Sequence, residues 1–164
     1  MSTELTPEQE KQVQAQVLEE RYATGAWVLQ MMKAHFGEEA CQVVEKTLGE
    51  QAFQHGKKTA EEIGDNSLEA YIKYQLEFAR LAGDELECTV EETESGFQMK
   101  YTKCKMADTA KRLGAADEVF YFSCACDKYG AEGFNPNIGL KLTKTLMQGD
   151  ECCDHFYYYK DKNK

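Results

Sequence analysis

The sequence predicts an α+β fold in which helices cover one face of an antiparallel sheet. Three observations predict it. Residues 1–83 carry apolar side chains at helical spacing. Residues 84–104 change to an apolar–polar alternation that is typical of a half-buried β-hairpin. A helical stretch and a second alternating hairpin follow as far as residue 160, and this order favours a sheet of four or more antiparallel strands built from two hairpins.

The first predicted helix opens the helical front end, residues 1–83. Thr6 is a favoured N-cap, and Pro7 suits the first helical position because its missing N–H has no helical partner there. Apolar side chains recur at helical spacing as far as Phe36. Gly37 then predicts the end of this helix.

Two further helices complete the front end. The second begins at Glu38, and the glycines Gly49 and Gly56 inside it predict either a break or the close approach of another element. The segment 66–69 reads Asn-Ser-Leu-Glu, which is typical of a capping box and predicts the start of a third helix. Gly83 predicts its end.

Strands and helices are both predicted in residues 84–160. The first hairpin joins strands at 86–90 and 97–101. A short helix is predicted over residues 106–113, and a longer one over residues 116–129.

The second hairpin pairs a strand at 138–142 with one at 152–159, across a turn at 149–150. Because strand side chains alternate between faces, the last strand has two sets of residues. One face carries Cys153, His155, Tyr157 and Tyr159, and the other carries Cys152, Asp154, Phe156 and Tyr158. The pattern alone leaves open whether His155 belongs to a site or is a polar residue on an outer face.

Length and charge limit the classes of protein. We expect a single domain over residues 1–164, because this length supports one core and is short for two. A net charge of −10 argues against nucleic acid or an anionic membrane as a partner. No apolar run approaches the roughly 20 residues that span a bilayer, and the first residues do not have the pattern of a signal peptide. These features predict a cytoplasmic protein that binds a small molecule, and they leave its oligomeric state open.

The chain contains seven cysteines. An odd number without an export signal predicts reduced thiols rather than a disulfide framework. Four of the seven lie between Cys124 and Phe156, so the reactive side chains are concentrated near the end of the chain. Free cysteine is often buried, and core packing is therefore the alternative to a chemical role.

Two residues of the predicted helix at 116–129 form a candidate pair. Cys124 and Asp127 are three positions apart, so a helix projects both from one face. Cys126 points well away from Cys124 on the same helix. One metal ion would therefore bind at most one of these two sulfurs.

Two further cysteines are candidate nucleophiles. Cys104 lies where a strand gives way to a helix, and the free N–H groups there lower a thiol pKa and stabilise an oxyanion. Cys153 shares a strand face with His155, and a neighbouring imidazole is one way to hold a thiolate. Asp150 follows Gly149 and is most simply a turn former.

Together these stretches resemble the L-2-amino-thiazoline-4-carboxylic acid hydrolase-like family. The features that carry the resemblance are Cys104 with the helix that ends at Leu113-Gly114, Cys124-Ala-Cys-Asp127, Gly133-Phe-Asn135-Pro136, Thr143-Lys-Thr145, and the segment from Gly149-Asp150 through Cys153 to Phe156. The resemblance is specific from Cys104 to Phe156. It implies a cytoplasmic bacterial hydrolase that opens a thiazoline ring at a cyclic C–S or C–N bond and gives N-carbamoyl-cysteine.

These stretches contain the candidate site residues. We expect Cys104, Cys124, Asp127, Asp150 and Cys153 to be catalytic and Asn135, Thr143, Thr145 and His155 to bind the substrate. The family pattern has Arg where this chain has Leu142, and an Arg there would hold a substrate carboxylate. Lys141, Lys144 and Arg112 are the alternatives for that role.

Two mechanisms fit these residues. In the first, a thiolate of Cys104 or Cys153 attacks the ring carbon, and Asp127 or Asp150 moves protons. In the second, Cys124, Asp127 and Cys153, with Cys104, bind zinc or iron, and the metal activates water. A non-catalytic domain that binds a small molecule or a metal is the alternative to an enzyme, and a protein whose cysteines are only core is a third.

Overall fold

A computed structural model describes residues 5–160, apart from the side chain of Leu18. The described helices are α1 (Pro7–Phe36), α2 (Glu39–Ile63), α3 (Leu68–Ala82), α4 (Lys105–Arg112), α5 (Ala116–Phe122) and α6 (Asp127–Phe134). The described strands are β1 (Leu86–Thr93), β2 (Gly96–Cys104), β3 (Ile138–Leu142) and β4 (Cys153–Tyr159). None of these helices is long and apolar enough to span a bilayer.

The four strands form one antiparallel sheet in the order β1-β2-β4-β3. The predicted α+β fold with two hairpins is confirmed. β2 and β4 lie in the middle, so His155 pairs with Met99 on one side and with Leu142 on the other. The predicted alternation of β4 is also found, because Cys153, His155 and Tyr157 are buried.

One face of the sheet packs against α3 and α6. The main core cluster joins Tyr71 of α3, Phe134 of α6 and Tyr157 of β4, whose rings meet at centroid distances of 5.1 and 5.3 Å from Tyr71. Rings of this size bury large apolar areas and stabilise the core through their contacts. A second cluster, around Val119 and Met147, joins α1, α4 and α5.

The ends of the helical front end largely follow the sequence signals. Thr6 and Gln9 form a capping box at the start of α1, and Gly37 ends this helix with a φ of 72°. The predicted start of the third helix was one residue early, since Ser67 rather than Asn66 is the N-cap and accepts a hydrogen bond from Ala70 N.

Helix α2 is continuous through Gly49 and Gly56. Of the two predicted alternatives, the close approach of another element is confirmed and the break is wrong. α2 packs along α6. A Cβ on Gly56 would lie 2.2 Å from the carbonyl oxygen of Gly130, and one on Gly133 would lie 2.0 Å from that of Phe53. Only glycine allows these two backbones to come so close.

The single helix predicted over residues 116–129 is wrong. α5 ends at Phe122, a 3₁₀ turn spans Cys124–Cys126, and α6 begins at Asp127. Ser123 leaves the helical region with φ −132° and ψ −84°, and its hydroxyl donates a hydrogen bond to the Met106 sulfur at 2.9 Å. The break turns α6 towards the sheet, and it places the 3₁₀ turn beside the end of β2.

Candidate functional site

A cavity of about 130 Å³ lies between α3, the inner face of the sheet and the junction of α5 with α6. Its reactive side chains are Cys104, Cys124, Asp127, Cys153 and His155. Most of the rest of the wall is aromatic or aliphatic. A larger surface depression of about 690 Å³ is lined by Phe53, Asn66 and Pro136 and by no cysteine or histidine.

Asp127 is the only carboxylate among the described residues that line this cavity. It is the first residue of α6, and 39% of its side-chain surface is accessible. Protein covers the rest of the carboxyl, and Asp127 also lines a neighbouring cavity with Cys126 and Gly130. Burial therefore raises the pKa of Asp127 from 3.8 to about 7. The group exchanges a proton near neutral pH.

His155 stands beside this carboxyl, with its Nε2 3.8 Å from Asp127 Oδ2. The ring is 7% exposed and lies near the rings of Tyr101 and Tyr157, and the Tyr157 hydroxyl is 3.3 Å from His155 Nδ1. Burial lowers the pKa of His155 to about 4, against a smaller opposing effect of Asp154. The imidazole is thus neutral at pH 7. Asp127 and His155 therefore form a titrating carboxyl group beside a neutral ring rather than an ion pair.

The three cavity cysteines are protonated thiols at neutral pH. Burial raises the pKa of Cys124 strongly, and it raises that of Cys153 to about 11. At Cys104 the N–H groups of Ala107 and Met106 favour the thiolate, but burial outweighs them and the pKa is raised. The predicted contact of the Cys104 sulfur with free N–H groups at the strand–helix junction is present, but the predicted lowering of its pKa is wrong.

Cys126 lies outside this cavity. Its thiol is 3.7 Å from the Tyr121 carbonyl oxygen, and burial raises its pKa to about 11. This agrees with the sequence argument that Cys126 points away from Cys124. The predicted α-helix is absent at these residues, but a 3₁₀ turn also points residues two apart to different sides of its axis.

Asp150 and Thr145 do not line the cavity. Asp150 Oδ2 accepts a hydrogen bond from Thr145 N at 2.7 Å. Thr145 caps the 3₁₀ turn Leu146–Gln148, and its hydroxyl accepts from Gln148 N at 3.1 Å. Both residues order the connection that leads into β4.

Thr143 and Asn135 also lie away from the cavity. The Thr143 hydroxyl donates to Asp154 Oδ2 at 2.5 Å, on the side of the sheet opposite His155. The buried amide of Asn135 donates to Asn66 O at 2.8 Å and accepts from Asn137 N at 2.9 Å. These contacts join the end of α6 to the start of α3.

The metal alternative requires Cys124, Asp127 and Cys153 as common ligands. The three side chains share the cavity. Across residues 5–160, however, no group of three or more His, Cys, Asp or Glu side chains is arranged so that it could hold a metal ion.

The sequence analysis missed several members of the wall. They are Gln75 and Phe78 of α3, Leu86 of β1, Tyr101 of β2, Met106 of α4, Ser123 and Tyr157. Strand alternation was the available signal for Tyr101, because it is two residues from Met99 on a buried face. No local pattern marks Gln75 or Phe78, since only packing of α3 on the sheet places them there.

The family model for L-2-amino-thiazoline-4-carboxylic acid hydrolase matches residues 16–157. The chain belongs to this family. The chain has no match among curated proteins or solved structures. The matched segment runs from α1 to Tyr157. It contains every residue that lines the cavity.

Proposed function

We propose that the protein hydrolyses a small 2-amino-thiazoline ring and that Asp127 moves the protons. Membership of the hydrolase family supports the reaction class. The observation that carries the proposal is a carboxyl group with a pKa of about 7 on the wall of a small, partly open cavity, 3.8 Å from a neutral imidazole. A proton-transfer group is most effective when its pKa lies near the working pH.

In the first step the ionised Asp127 acts as general base. Water adds to the ring carbon between sulfur and nitrogen and gives one proton to the carboxylate. His155 is neutral and stands beside Asp127, so it can hold the water or the ring by a hydrogen bond without competing for the proton. The new C–O bond makes a tetrahedral adduct.

In the second step the adduct collapses and the bond from carbon to sulfur breaks. Asp127, now protonated, returns its proton to the leaving sulfur. The adduct hydroxyl passes its proton to the former imine nitrogen of a neutral ring, or to solvent when the ring enters as a cation and that nitrogen is already protonated. The water oxygen becomes the carbonyl oxygen of a urea, and the product carries a free thiol. No oxidant or metal is needed for this balance, and Asp127 ends in the state in which it began.

The cavity thiols have a second candidate role in catalysis. Covalent attack by Cys104 is favoured by one observation, which is that N–H groups of Met106 and Ala107 stabilise its thiolate. Against it, burial keeps this thiol protonated at neutral pH. Water attack assisted by Asp127 is therefore the better-supported route.

The test is formation of the thiol product from 2-amino-2-thiazoline and from its 4-carboxylate, followed by mass spectrometry. Asp127→Asn should lower kcat/KM by about 100-fold or more, the usual contribution of a general acid–base group. Glu132→Gln is the matched control, because Glu132 lies on the same helix and pairs with Lys160 outside the cavity. Cys104→Ser should retain activity within about tenfold if water is the nucleophile.

Each result separates the candidates. Full activity of Asp127→Asn would reject Asp127 as the proton carrier. Loss of all activity in a folded Cys104→Ser would favour covalent attack. Wild-type protein that binds the ring and forms no product would support a non-catalytic binding domain, which the raised pKa values of the cavity thiols also favour.

A further inference from the structure

The described wall of the cavity carries one acidic side chain and no permanently positive one. Asp127 is its only carboxylate, and no lysine or arginine of residues 5–160 contributes to its wall. His155 is the one basic side chain there, and burial keeps it neutral at pH 7. A ligand anion would have no countercharge in this cavity, whereas a ligand cation would have one.

Three lysines next to cavity residues along the chain are paired at the surface, and one of them is Lys128, which follows Asp127 and lies 2.6 Å from Glu45. Lys105 follows Cys104, and its Nζ lies 2.6 Å from Glu85. Lys103 precedes Cys104 and lies 3.5 Å from Glu87. None of the three is free to turn towards the cavity without losing its partner.

The three candidates for holding a substrate carboxylate also lie elsewhere. Arg112 forms a two-pronged pair with Glu19, with both N···O distances at 2.7 Å. Lys144 pairs with Glu151. Lys141 of β3 stands opposite Phe156, which faces away from the cavity side of the sheet.

The volume of the cavity sets the size of the occupant. Its 130 Å³ is close to the roughly 150 Å³ of an apolar protein cavity that accepts benzene. A single five-membered ring with one amino group, roughly six non-hydrogen atoms, fits this space. A ring carboxylate placed inside the cavity would have no positively charged partner, and burial of an unpaired charge is costly.

We propose that the cavity selects a small cationic cyclic amidine without a carboxylate, such as protonated 2-amino-2-thiazoline, with the Asp127 carboxylate as its counter-ion. This inference rests on the proposed function and narrows its substrate. The rings of Phe78, Tyr101 and Tyr157 supply aromatic wall, which also favours a cation. A net charge of −10 acts in the same direction by attracting cations to the protein.

The experiment is calorimetric titration with 2-amino-2-thiazoline and with 2-amino-2-thiazoline-4-carboxylate near neutral pH, with turnover of both followed in parallel. We expect the first compound to bind at least about tenfold more tightly, since that ratio needs only about 1.4 kcal/mol of differential interaction. Asp127→Asn should abolish this preference, and Glu132→Gln should keep it. Melting curves of both variants show whether each is folded.

The outcomes separate this inference from the proposed reaction. Tighter binding and faster turnover of the carboxylate would overturn the inference and leave the hydrolase proposal standing. Preferred binding of 2-amino-2-thiazoline without turnover would support the inference and reject the hydrolase. The inference would be overturned if neither compound bound, or if folded Asp127→Asn kept the same preference.

Discussion

Asp127 sets the expected pH dependence at the scale of the single residue. As a general base it must be ionised in the free enzyme, and its pKa is about 7. We therefore expect kcat/KM to rise about tenfold per pH unit up to about pH 7 and then to level off. The groups that face it do not titrate in this range, because the pKa of His155 is about 4 and those of the cavity thiols and tyrosines are raised.

A pH–rate profile of the wild-type protein checks this expectation. An inflection near pH 4 with none near pH 7 would reject Asp127 as the proton carrier and would indicate His155 or a carboxyl group of ordinary pKa instead. Loss of activity above pH 7 would indicate that the protonated carboxyl, acting as an acid, limits the rate. The structure predicts neither of these profiles.

The same residue should lower the stability of the fold. Its pKa is about 7 in the folded protein against an ordinary 3.8, so ionisation opposes folding increasingly from pH 4 to pH 7 and by a constant amount above that. One pKa unit corresponds to about 1.4 kcal/mol. Since 39% of the side chain is accessible, solvent screening reduces the full cost to about 2 kcal/mol.

Asp127→Asn should accordingly raise the Tm by about 4–8 °C at pH 8, and the gain should shrink as the pH falls towards 4. Thermal unfolding at a series of pH values measures it. Glu132→Gln should show no such trend. An equal gain for Asp127→Asn at every pH would mean that packing, rather than ionisation, separates the two proteins.

The cavity thiols should react slowly with alkylating reagents. The pKa of Cys153 is about 11 against an ordinary 9.0, so its thiolate fraction at neutral pH is about 100-fold smaller than that of a free thiol. Labelling with iodoacetamide, resolved by peptide mass spectrometry, should place Cys124 and Cys153 among the slowest sites. A single fast site at Cys104 would instead favour covalent catalysis.

At the scale of the element, the packing of α2 along α6 positions the Asp127 carboxyl. A Cβ on Gly133 would lie 2.0 Å from the backbone oxygen of Phe53, whereas a Cβ on Gly130 would have its nearest neighbour at 4.0 Å. Backbone atoms cannot move aside singly, so Gly133→Ala should cost about 3 kcal/mol or more. Gly130→Ala lies on the same helix and should change stability by about 1 kcal/mol at most, in either direction.

Urea unfolding of both variants tests this packing. Gly133→Ala should also reduce activity in the fraction that remains folded, because it displaces α6 and with it Asp127. Equal and small effects of the two substitutions would show that the helices separate easily and that the close approach is not needed for the fold.

Helix ends were predictable where a cap or a glycine marks them, as Thr6 and Gly37 show. The break between α5 and α6 had no such signal. Ser123 is a weak helix former rather than a breaker, and its conformation is fixed by packing on either side of it, including its contact with Met106. Tertiary contacts overrode a locally acceptable helix there.

At the scale of the whole molecule, the site depends on which strands are neighbours. The sequence predicted two hairpins, but local pattern does not determine how hairpins pair with each other. β2 lies beside β4, and Tyr101 pairs with Cys153. This pairing brings Cys104 near the face of β4 that carries Cys153 and His155. The sequence could therefore indicate the reactive residues, but it could not predict that they share one cavity.

The excess negative charge of the whole molecule predicts how stability responds to salt. A net charge of −10 gives self-repulsion that favours unfolding, and exposed ion pairs such as Arg112–Glu19 contribute little because solvent screens them. Raising NaCl from about 0.01 M to about 1 M shortens the screening length from about 30 Å to about 3 Å. The loss of repulsion should outweigh the loss of ion pairs, so the Tm should rise.

Thermal unfolding at neutral pH across this salt range measures the effect, and the chain supplies its own control. Near the sequence pI of about 4.8 the net charge is close to zero, so salt should then leave the Tm unchanged or lower it by screening ion pairs such as Lys105–Glu85. An equal rise at both pH values would mean that salt acts through apolar burial, which does not depend on net charge. A fall at neutral pH would mean that the ion pairs outweigh the repulsion.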